Sequence, residues 1–110
     1  MVQYSTGLDR VFYALSDGTR RDILCRVERG RLGVTQLCED YRMTLTAVAK
    51  HVKVLENAGL VSTSKAGRIR SVEARPENLK IAADWVRHYE RYWNDALDRF
   101  ATLAEQEDIR

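Results

Sequence analysis

The chain has 110 residues, of which 45% are hydrophobic and 31% charged, with a formal net charge of +2. These values are typical of one globular domain, and no apolar run approaches the roughly 18 residues of a membrane span. The first residues lack a secretory signal pattern, and two cysteines, Cys25 and Cys38, are too few for a disulfide framework. We therefore expect a single domain over residues 1–110, in the cytoplasm, with no membrane partner.

Two amphipathic helices are predicted at the start of the chain. The first, over about residues 8–15, rests on apolar residues at three-to-four spacing: Leu8, Val11, Phe12 and Leu15. Residues 16–19 interrupt this pattern, and Asp17 is a candidate N-cap for a second helix that runs to about Arg29.

The next two helices form a predicted helix-turn-helix over about residues 34–58. Val34, Leu37 and Tyr41 indicate a short third helix, and residues 41–43 connect it to a fourth helix capped by Thr44. Gly59 stands where a left-handed residue ends a helix at little steric cost. In a helix-turn-helix, the second helix is the one that enters the major groove of DNA, so the fourth helix of this chain is the candidate recognition helix.

A β-hairpin and a long helix are predicted after Gly59. Apolar–polar alternation on both sides of residues 65–68 predicts a hairpin, or wing, over about residues 60–75. Pro76 suits the first turn of a last helix that extends to about residue 106. The predicted fold is mainly α with a small β-hairpin: about five helices, a wing and a long C-terminal helix.

The last helix is too long for a domain of this size to cover. About 30 residues span roughly 45 Å at 1.5 Å per residue, so part of its apolar face would stay exposed on a monomer. Large exposed apolar patches mark partner surfaces, and we predict a homodimer through residues 8–15 and 76–106; the alternative is a face packed wholly within the monomer. The predicted interface residues are Val11, Phe12, Leu15, Trp85, Tyr89, Tyr92, Trp93, Leu97 and Phe100.

Charge is distributed unevenly along the chain. Residues 44–75 contain six basic and two acidic residues, whereas residues 76–110 contain five basic and eight acidic residues. A polyanion would approach the middle of the chain, and the N-terminal end of a helix fits the major groove of DNA. The predicted residues contacting double-stranded DNA are Thr44, Leu45, Thr46, Ala47, Lys50, His51, Lys53, Lys65, Arg68 and Arg70.

Two of these residues have an alternative role within the domain. Thr44 can act simply as a helix cap, and His51 can form a hydrogen bond inside the protein instead of lying along the DNA backbone. The three wing cations suit phosphates or the minor groove, which supply little sequence information.

Two segments carry a resemblance to a known family. Residues 12–24, FYALSDGTRRDIL, are similar to the opening "ALADPTRRRIL" of the ArsR/SmtB winged-helix transcriptional repressors, with Gly18 where proline is usual. Residues 47–61, AVAKHVKVLENAGLV, are similar to the "SAVSRHLKVLREAGLV" of the same family. The resemblance covers roughly residues 8–105. It implies a homodimer that binds an inverted-repeat operator, with recognition helices in successive major grooves.

The chain departs from the metal-sensing members of that family. One of their sites uses a Cys-x-Cys motif before the recognition helix, where this chain has Cys38 alone. Another uses an acidic residue and several histidines on the last helix, where this chain offers Asp84, His88 and Glu90. Because a tight site for a soft metal needs three or four thiolate or imidazole ligands, we expect no metal and no cofactor.

Several alternatives remain open at this stage. The regulator could respond to an unidentified small molecule or to oxidation, although the surroundings of Cys25 and Cys38 give no sign of a reactive thiolate, and Cys25 is expected to be a small core residue. A winged-helix protein-interaction module that does not bind DNA is a second class. An enzyme is not expected, since the sequence contains neither a nucleophile–base pattern nor a glycine-rich phosphate loop.

Overall fold

The structure is a computed structural model that describes residues 6–108. Residues 1–5, which carry part of the argument about a secretory signal, and residues 109–110, the end of the predicted domain, lie outside the described residues. The elements in chain order are α1 (Thr6–Leu15), α2 (Gly18–Glu28), β1 (Leu32–Gly33), α3 (Val34–Tyr41), α4 (Leu45–Asn57), β2 (Val61–Ala66), β3 (Ile69–Ala74), a 3-10 turn (Pro76–Asn78) and α5 (Leu79–Asp108).

The four helices α1, α2, α3 and α4 share one apolar core with the sheet. Its largest fully buried side chains come from four helices, the α4–β2 connection and one strand: Val11, Ile23, Leu37, Val48, Leu55, Leu60 and Val72. The helix α5 contributes to this core through Ala82, with Leu79 packed against it. The fold predicted from the sequence, five helices with a wing and a long last helix, is confirmed.

The sheet is antiparallel and has the strand order β1-β3-β2. The pairing of β2 with β3 runs from Val61 opposite Ala74 to Ala66 opposite Ile69. Gly67, with a φ of 62°, and Arg68 form the two-residue turn, so β2 is longer than the sequence predicted. The strand β1 was not predicted, because two residues are too short for a period-two pattern to be visible.

Side-chain caps fix where α2 and α4 begin. The Asp17 carboxylate accepts a hydrogen bond from the Arg20 backbone N–H at 3.1 Å, and this bond, with help from nearby His51, lowers the pKa of Asp17. The Thr44 hydroxyl accepts one from the Ala47 N–H at 3.1 Å. Both residues have the extended backbone of an N-cap. The caps predicted at these two positions are present.

Polar contacts between α2 and α3 hold the first helix of the helix-turn-helix in place. The Arg26 guanidinium lies 2.5 Å from Asp40 and over the ring of Tyr41. The Tyr41 hydroxyl donates a hydrogen bond to Asp22, and partial burial is the main cause of the raised pKa of Tyr41. After α3, Arg42 takes the left-handed conformation with a φ of 54° and turns the chain toward α4.

Gly59 and Asn78 join the end of α4 to the start of α5. Gly59 has a φ of 73°, and a Cβ atom there would lie 2.0 Å from Nδ2 of Asn78. The same Asn78 nitrogen donates a hydrogen bond to the Ala58 carbonyl at 3.1 Å. Glycine is therefore required both by the backbone conformation and by the close approach. This contact sets the point from which α5 leaves the core.

The structure corrects three predictions made for individual residues. Val11 is 0% exposed, because it lies on the inward face of α1 and fills the core instead of a dimer surface. Cys25 is exposed rather than part of the core, since its neighbours Ile23 and Leu24 occupy the inward face of α2. Pro76 begins a 3-10 turn, and the α-helical conformation starts at Leu79.

Candidate nucleic-acid interface

The first turns of α4 present an open surface. Val48, Val52 and Leu55 are buried and hold α4 against the core. Thr44, Leu45, Thr46 and Lys50 are exposed on the outer side, with Ala47 half-buried at its edge. The predicted contact residues at the start of the recognition helix therefore share one accessible face.

The wing brings a cation to the side of α4. In β2 and β3, Lys65 pairs with Arg70, and both lie on the same face of the sheet as the buried Val72. Like charges directly opposite each other are unfavourable in a sheet. Arg70 borders a groove together with Lys50 and Lys53. This basic groove is lined by Leu45, Thr46, Ala49, Lys50, Lys53 and Arg70.

Arg68 and Lys65 extend the positive surface beyond the basic groove. Arg68 lies in the wing turn and is exposed, and Lys65 is exposed near the end of β2. Neither residue lines the basic groove, so the structure divides the predicted cations into a set beside α4 and a set at the wing tip.

A polar contact that the sequence did not predict ties the wing to α4. The Thr63 hydroxyl donates a hydrogen bond to Oε2 of Glu56 at 2.7 Å, and Nζ of Lys53 lies 3.8 Å from Oε1 of the same carboxylate. Glu56 thus links α4 to β2 and also lies within ion-pair distance of Lys53. The contact depends on the packing of a strand against a helix, and no sequence spacing reveals it.

His51 is half-buried and makes its polar contacts within the domain. Its Nδ1 is 3.4 Å from the Arg20 guanidinium and 4.0 Å from the Asp17 carboxylate, and its side chain is only 21% exposed. The helical position of residue 51 turns the ring toward the start of α2. These contacts match the alternative role, a contact within the protein, and a DNA contact by His51 stays a prediction.

Arg20 is the residue of this region that the sequence analysis missed. It is 8% exposed, and its guanidinium donates hydrogen bonds to the carbonyls of Ala14 at 2.8 Å and Tyr13 at 2.9 Å. It thereby satisfies the free carbonyls at the end of α1 while contacting His51 on α4. The sequence signal for this role was the position of the arginine, in the first turn of α2 and five residues after the end of α1.

A second surface lies along α5, away from the basic groove. Trp85 stacks on Tyr89 with a centroid separation of 5.0 Å, and Phe12 of α1 packs edge-on against Trp85 at 5.6 Å. Tyr89 and Tyr92 continue the ring contacts to Trp93. We call Trp85, Tyr89, Tyr92 and Trp93 the aromatic stripe; all four remain exposed.

The other predicted interface residues lie near the aromatic stripe. Leu97 and Phe100 are exposed further along α5, Phe12 is partly exposed on α1, and Leu15 is half-buried against the core. Of the nine residues predicted for a dimer interface, Val11 alone is enclosed by its own domain.

Neither a metal cluster nor a membrane-spanning helix is found in the part of the chain that the structure describes. Within residues 6–108, no three His, Cys, Asp or Glu side chains lie close enough together to hold a metal ion. Over the same range, no helix combines the length and apolar character needed to cross a membrane.

Comparison with known proteins identifies the family. A profile described as bacterial regulatory protein, arsR family, matches residues 17–63, which include α2, α3, α4 and the start of the wing. The HTH-type transcriptional regulator Rv2034 of Mycobacterium tuberculosis is 38% identical over 99 residues, covering 90% of each chain. The protein belongs to the ArsR family.

Solved structures agree with this assignment. An ArsR-like transcriptional regulator from Rhodococcus sp. RHA1 is 31% identical, with a TM-score of 0.76 over 91% of this chain and 92% of that one. The homodimeric winged helix-turn-helix DNA-binding domain of Mb0332 from Mycobacterium bovis shares the fold at 24% identity, with a TM-score of 0.61 over 84% and 94% of the two chains. This ArsR-family protein is a DNA-binding transcriptional regulator and not an enzyme.

Proposed function

We propose that the protein is a homodimeric repressor that binds an inverted-repeat operator, without a dedicated metal site. The observation that carries the proposal is the basic groove, in which Lys50 and Lys53 of α4 meet Arg70 of the wing. A regulator of bacterial transcription acts on the chromosome, so we also propose a cytoplasmic location.

The basic groove supports DNA binding through α4 and the wing together. A helix fits the major groove with its first residues nearest the base edges. Here these residues are Leu45 and Thr46, with Lys50 one turn further along. In this arrangement Lys53 and Arg70 contact phosphates beside the helix, and Arg68 and Lys65 reach the flanking backbone. The phosphate contacts position the protein, and the α4 residues read the sequence.

The exposed face of α5 supports the homodimer. From Ile81 onward, the large apolar side chains along this helix are at least 40% exposed in one chain, and burying their exposed parts contributes a fraction of the roughly 1.5–3 kcal/mol of a whole side chain. A second copy would cover the aromatic stripe together with Phe12, Leu97 and Phe100. Mb0332, which shares the fold, is described as homodimeric. A two-fold dimer presents two α4 helices and therefore matches an inverted repeat.

Repression by occupying a promoter requires only the two surfaces described above. The proposal includes no metal, because Cys38 has no second thiol beside it in the sequence and because Asp84, His88 and Glu90 have no second histidine on α5. An unidentified small-molecule effector that releases the protein from DNA is compatible with this proposal.

The test begins with duplexes that the wild-type protein selects from a random DNA library. We expect the selected sequences to contain an inverted repeat and to bind in fluorescence anisotropy. The double variant Lys50→Ala/Arg70→Ala should bind more weakly, and the slope of log K against log salt should fall by about 0.9 for each phosphate that is no longer neutralised. Lys80→Ala/Arg91→Ala, which removes the same charge from exposed positions on the side of α5 away from the aromatic stripe, is the matched control.

Three outcomes would contradict the proposal. Equal affinity of both double variants would exclude the basic groove as the contact surface. Absence of any selected duplex would exclude DNA binding, and a monomer in sedimentation at micromolar concentration would exclude the dimer. The repressor assignment is checked with a reporter gene behind the selected site, whose expression should fall when the protein is present.

A further inference from the structure

We propose that Ile69, at the tip of the wing, contacts the floor of the DNA minor groove and discriminates A·T from G·C pairs there. This inference rests on the proposed function, because it assigns a specificity role to one residue of the DNA-binding surface. No charge or hydrogen bond is involved; the contact is apolar.

The monomer leaves the Ile69 side chain largely uncovered. Ile69 is 68% exposed, and Leu45 is 63% exposed. These two are the large exposed apolar side chains that lie outside α1 and α5 in the described part of the chain. Leu45 begins α4, and Ile69 begins β3 directly after the wing turn. Within the described residues, most of the other large exposed apolar side chains lie on α5, whereas Leu45 and Ile69 lie on the proposed DNA surface.

The geometry of the wing tip presents Ile69 beyond the protein body. Its cross-strand partner is Ala66, whose methyl group is too small to cover it, and the next two residues toward the tip form the turn. Because side chains alternate along a strand, Ile69 lies on the opposite face from the Lys65–Arg70 pair. Arg68 and Arg70 flank it in sequence. Cations that bind phosphates on both sides would hold the isoleucine between the two strands of DNA.

The chemistry of the minor groove explains how an isoleucine would discriminate. A·T pairs present only the acceptors of adenine and thymine there, with the apolar adenine C2–H between them, whereas G·C pairs add the N2 amino group of guanine. An apolar side chain packs against the adenine C2–H. Against guanine it meets the amino group and shields it from water without offering it an acceptor, which is unfavourable. Apolar wedges from other proteins use the same groove.

The experiment uses three versions of one selected duplex. Protection of adenine N3 from methylation first locates the minor-groove positions that the wing covers. Those positions are then made A·T, G·C or inosine·C, because inosine lacks the amino group but keeps the major-groove pattern of guanine. Wild-type protein should bind the A·T and inosine·C duplexes equally and the G·C duplex more weakly.

The variants Ile69→Thr and Ile69→Val separate apolar contact from shape. Threonine keeps the β-branched form and replaces one methyl group by a hydroxyl. Ile69→Thr should bind the A·T and inosine·C duplexes about fivefold more weakly, since less apolar surface is buried and a hydroxyl is desolvated. It should bind the G·C duplex like wild type, while Ile69→Val should retain the preference.

The dependence on salt distinguishes Ile69 from its charged neighbours. Ile69→Thr should leave the slope of log K against log salt unchanged, whereas Arg68→Ala should lower it by about 0.9 if the arginine neutralises one phosphate. Matching thermal unfolding of both variants and wild type would show that the folded wing is preserved.

The failures of the two proposals are distinguishable. The role of Ile69 alone is overturned if the wild-type protein binds the inosine·C and G·C duplexes with equal affinity. It is also overturned if Ile69→Thr binds all three duplexes with the same affinity as wild type. A wild-type protein that binds no selected duplex overturns the proposed function and this inference together.

Discussion

The basic groove and the aromatic stripe differ in net charge and in apolar character. The basic groove belongs to residues 44–75, where basic residues outnumber acidic ones by six to two. The aromatic stripe belongs to residues 76–110, where acidic residues outnumber basic ones by eight to five and both tryptophans of the chain are found. One surface would attract a polyanion over a distance, and the other would associate only on contact.

A dimeric regulator needs one surface that binds DNA and another that binds a second copy. The difference in charge suits the two surfaces to these separate roles. The net negative charge of residues 76–110 disfavours contact between DNA and the aromatic stripe. Positive charge on α4 and the wing opposes pairing of two copies through the basic groove. Experiments that change salt, charge or helix geometry should therefore affect the two surfaces to different degrees.

The largest expected effect is that of salt. If a dimer neutralises about six to eight phosphates, affinity for DNA should fall roughly 1,000-fold or more between 50 and 200 mM salt. Dimer dissociation should change little over the same range, because burial of apolar surface is not screened. Anisotropy and sedimentation in the same buffers check both values. A dimer that separates in parallel with the decrease in DNA affinity would contradict the division between the surfaces.

A charge placed within the aromatic stripe should break the dimer. Trp93→Glu would put a carboxylate where a second copy is expected to pack, and burying an unpaired charge costs several kcal/mol, which corresponds to roughly 100-fold or more in dimer affinity. Asn94→Glu adds the same charge at an exposed neighbouring position on a different side of α5 and is the control.

The two variants should also differ in DNA binding. Trp93→Glu should bind an inverted repeat more weakly than wild type but bind a single half-site equally, because its basic groove is intact. Asn94→Glu should bind both like wild type. Equal dimer affinity of the two variants would place the interface elsewhere.

Gly59 connects the two surfaces, and its replacement should reduce stability. Gly59→Ala forces a β-carbon into the left-handed region, at a cost of about 1–2 kcal/mol, and displaces the Asn78 side chain from Ala58. The hydrogen bond adds about 1 kcal/mol, so chemical denaturation should show a total decrease of about 2–3 kcal/mol in the free energy of unfolding.

The double variant Gly59→Ala/Asn78→Ala resolves the two contributions. Removing the Asn78 amide relieves the close approach but leaves the backbone strain, so the two substitutions should be non-additive. Strict additivity would mean that Asn78 moves aside freely and that the junction does not fix the start of α5.

Much of the fold could be predicted because its signals are local. The three-to-four spacing of α1 to α4, the caps at Asp17 and Thr44 and the stop at Gly59 are each contained in one short segment. The length of α5 follows from an unbroken apolar period. The strand β1 and the 3-10 turn at Pro76–Asn78 were missed because they depend on pairing and packing with segments far away in the chain.

The candidate site was predictable in composition but less so in orientation. Sequence spacing placed Lys50, Lys53 and His51 together off the buried side of α4, yet the His51 ring turns toward Asp17 and Arg20. A helix surface has more than two sides, and only the position of α2 decides which one is open. For the same reason spacing assigned Val11 to the dimer surface, although α1 turns it into the core.

Replacement of the α4 cap should have a moderate effect on stability. Thr44→Ala removes the acceptor of the Ala47 N–H and should cost about 1 kcal/mol, whereas Thr44→Ser should retain the cap. Thermal or chemical unfolding measures both. If Thr44 acts only as a cap, Thr44→Ser will bind DNA like wild type; weaker binding by the serine variant would indicate that the threonine methyl group touches a base.

The smallest expected effect concerns the turn of the helix-turn-helix. Arg42 adopts a φ of 54°, which costs a residue with a β-carbon about 1–2 kcal/mol, and glycine avoids this cost while losing about 0.5–1 kcal/mol of chain entropy. Arg42→Gly should therefore stabilise the protein by roughly 0.5 kcal/mol. Arg42→Ala keeps the backbone strain and removes the same side chain, so the difference between the two variants isolates the conformational contribution. Equal stability of the two variants would mean that the turn relaxes around residue 42. DNA affinity measured on both should fall equally if the arginine side chain reaches a phosphate, which would extend the basic surface across the turn.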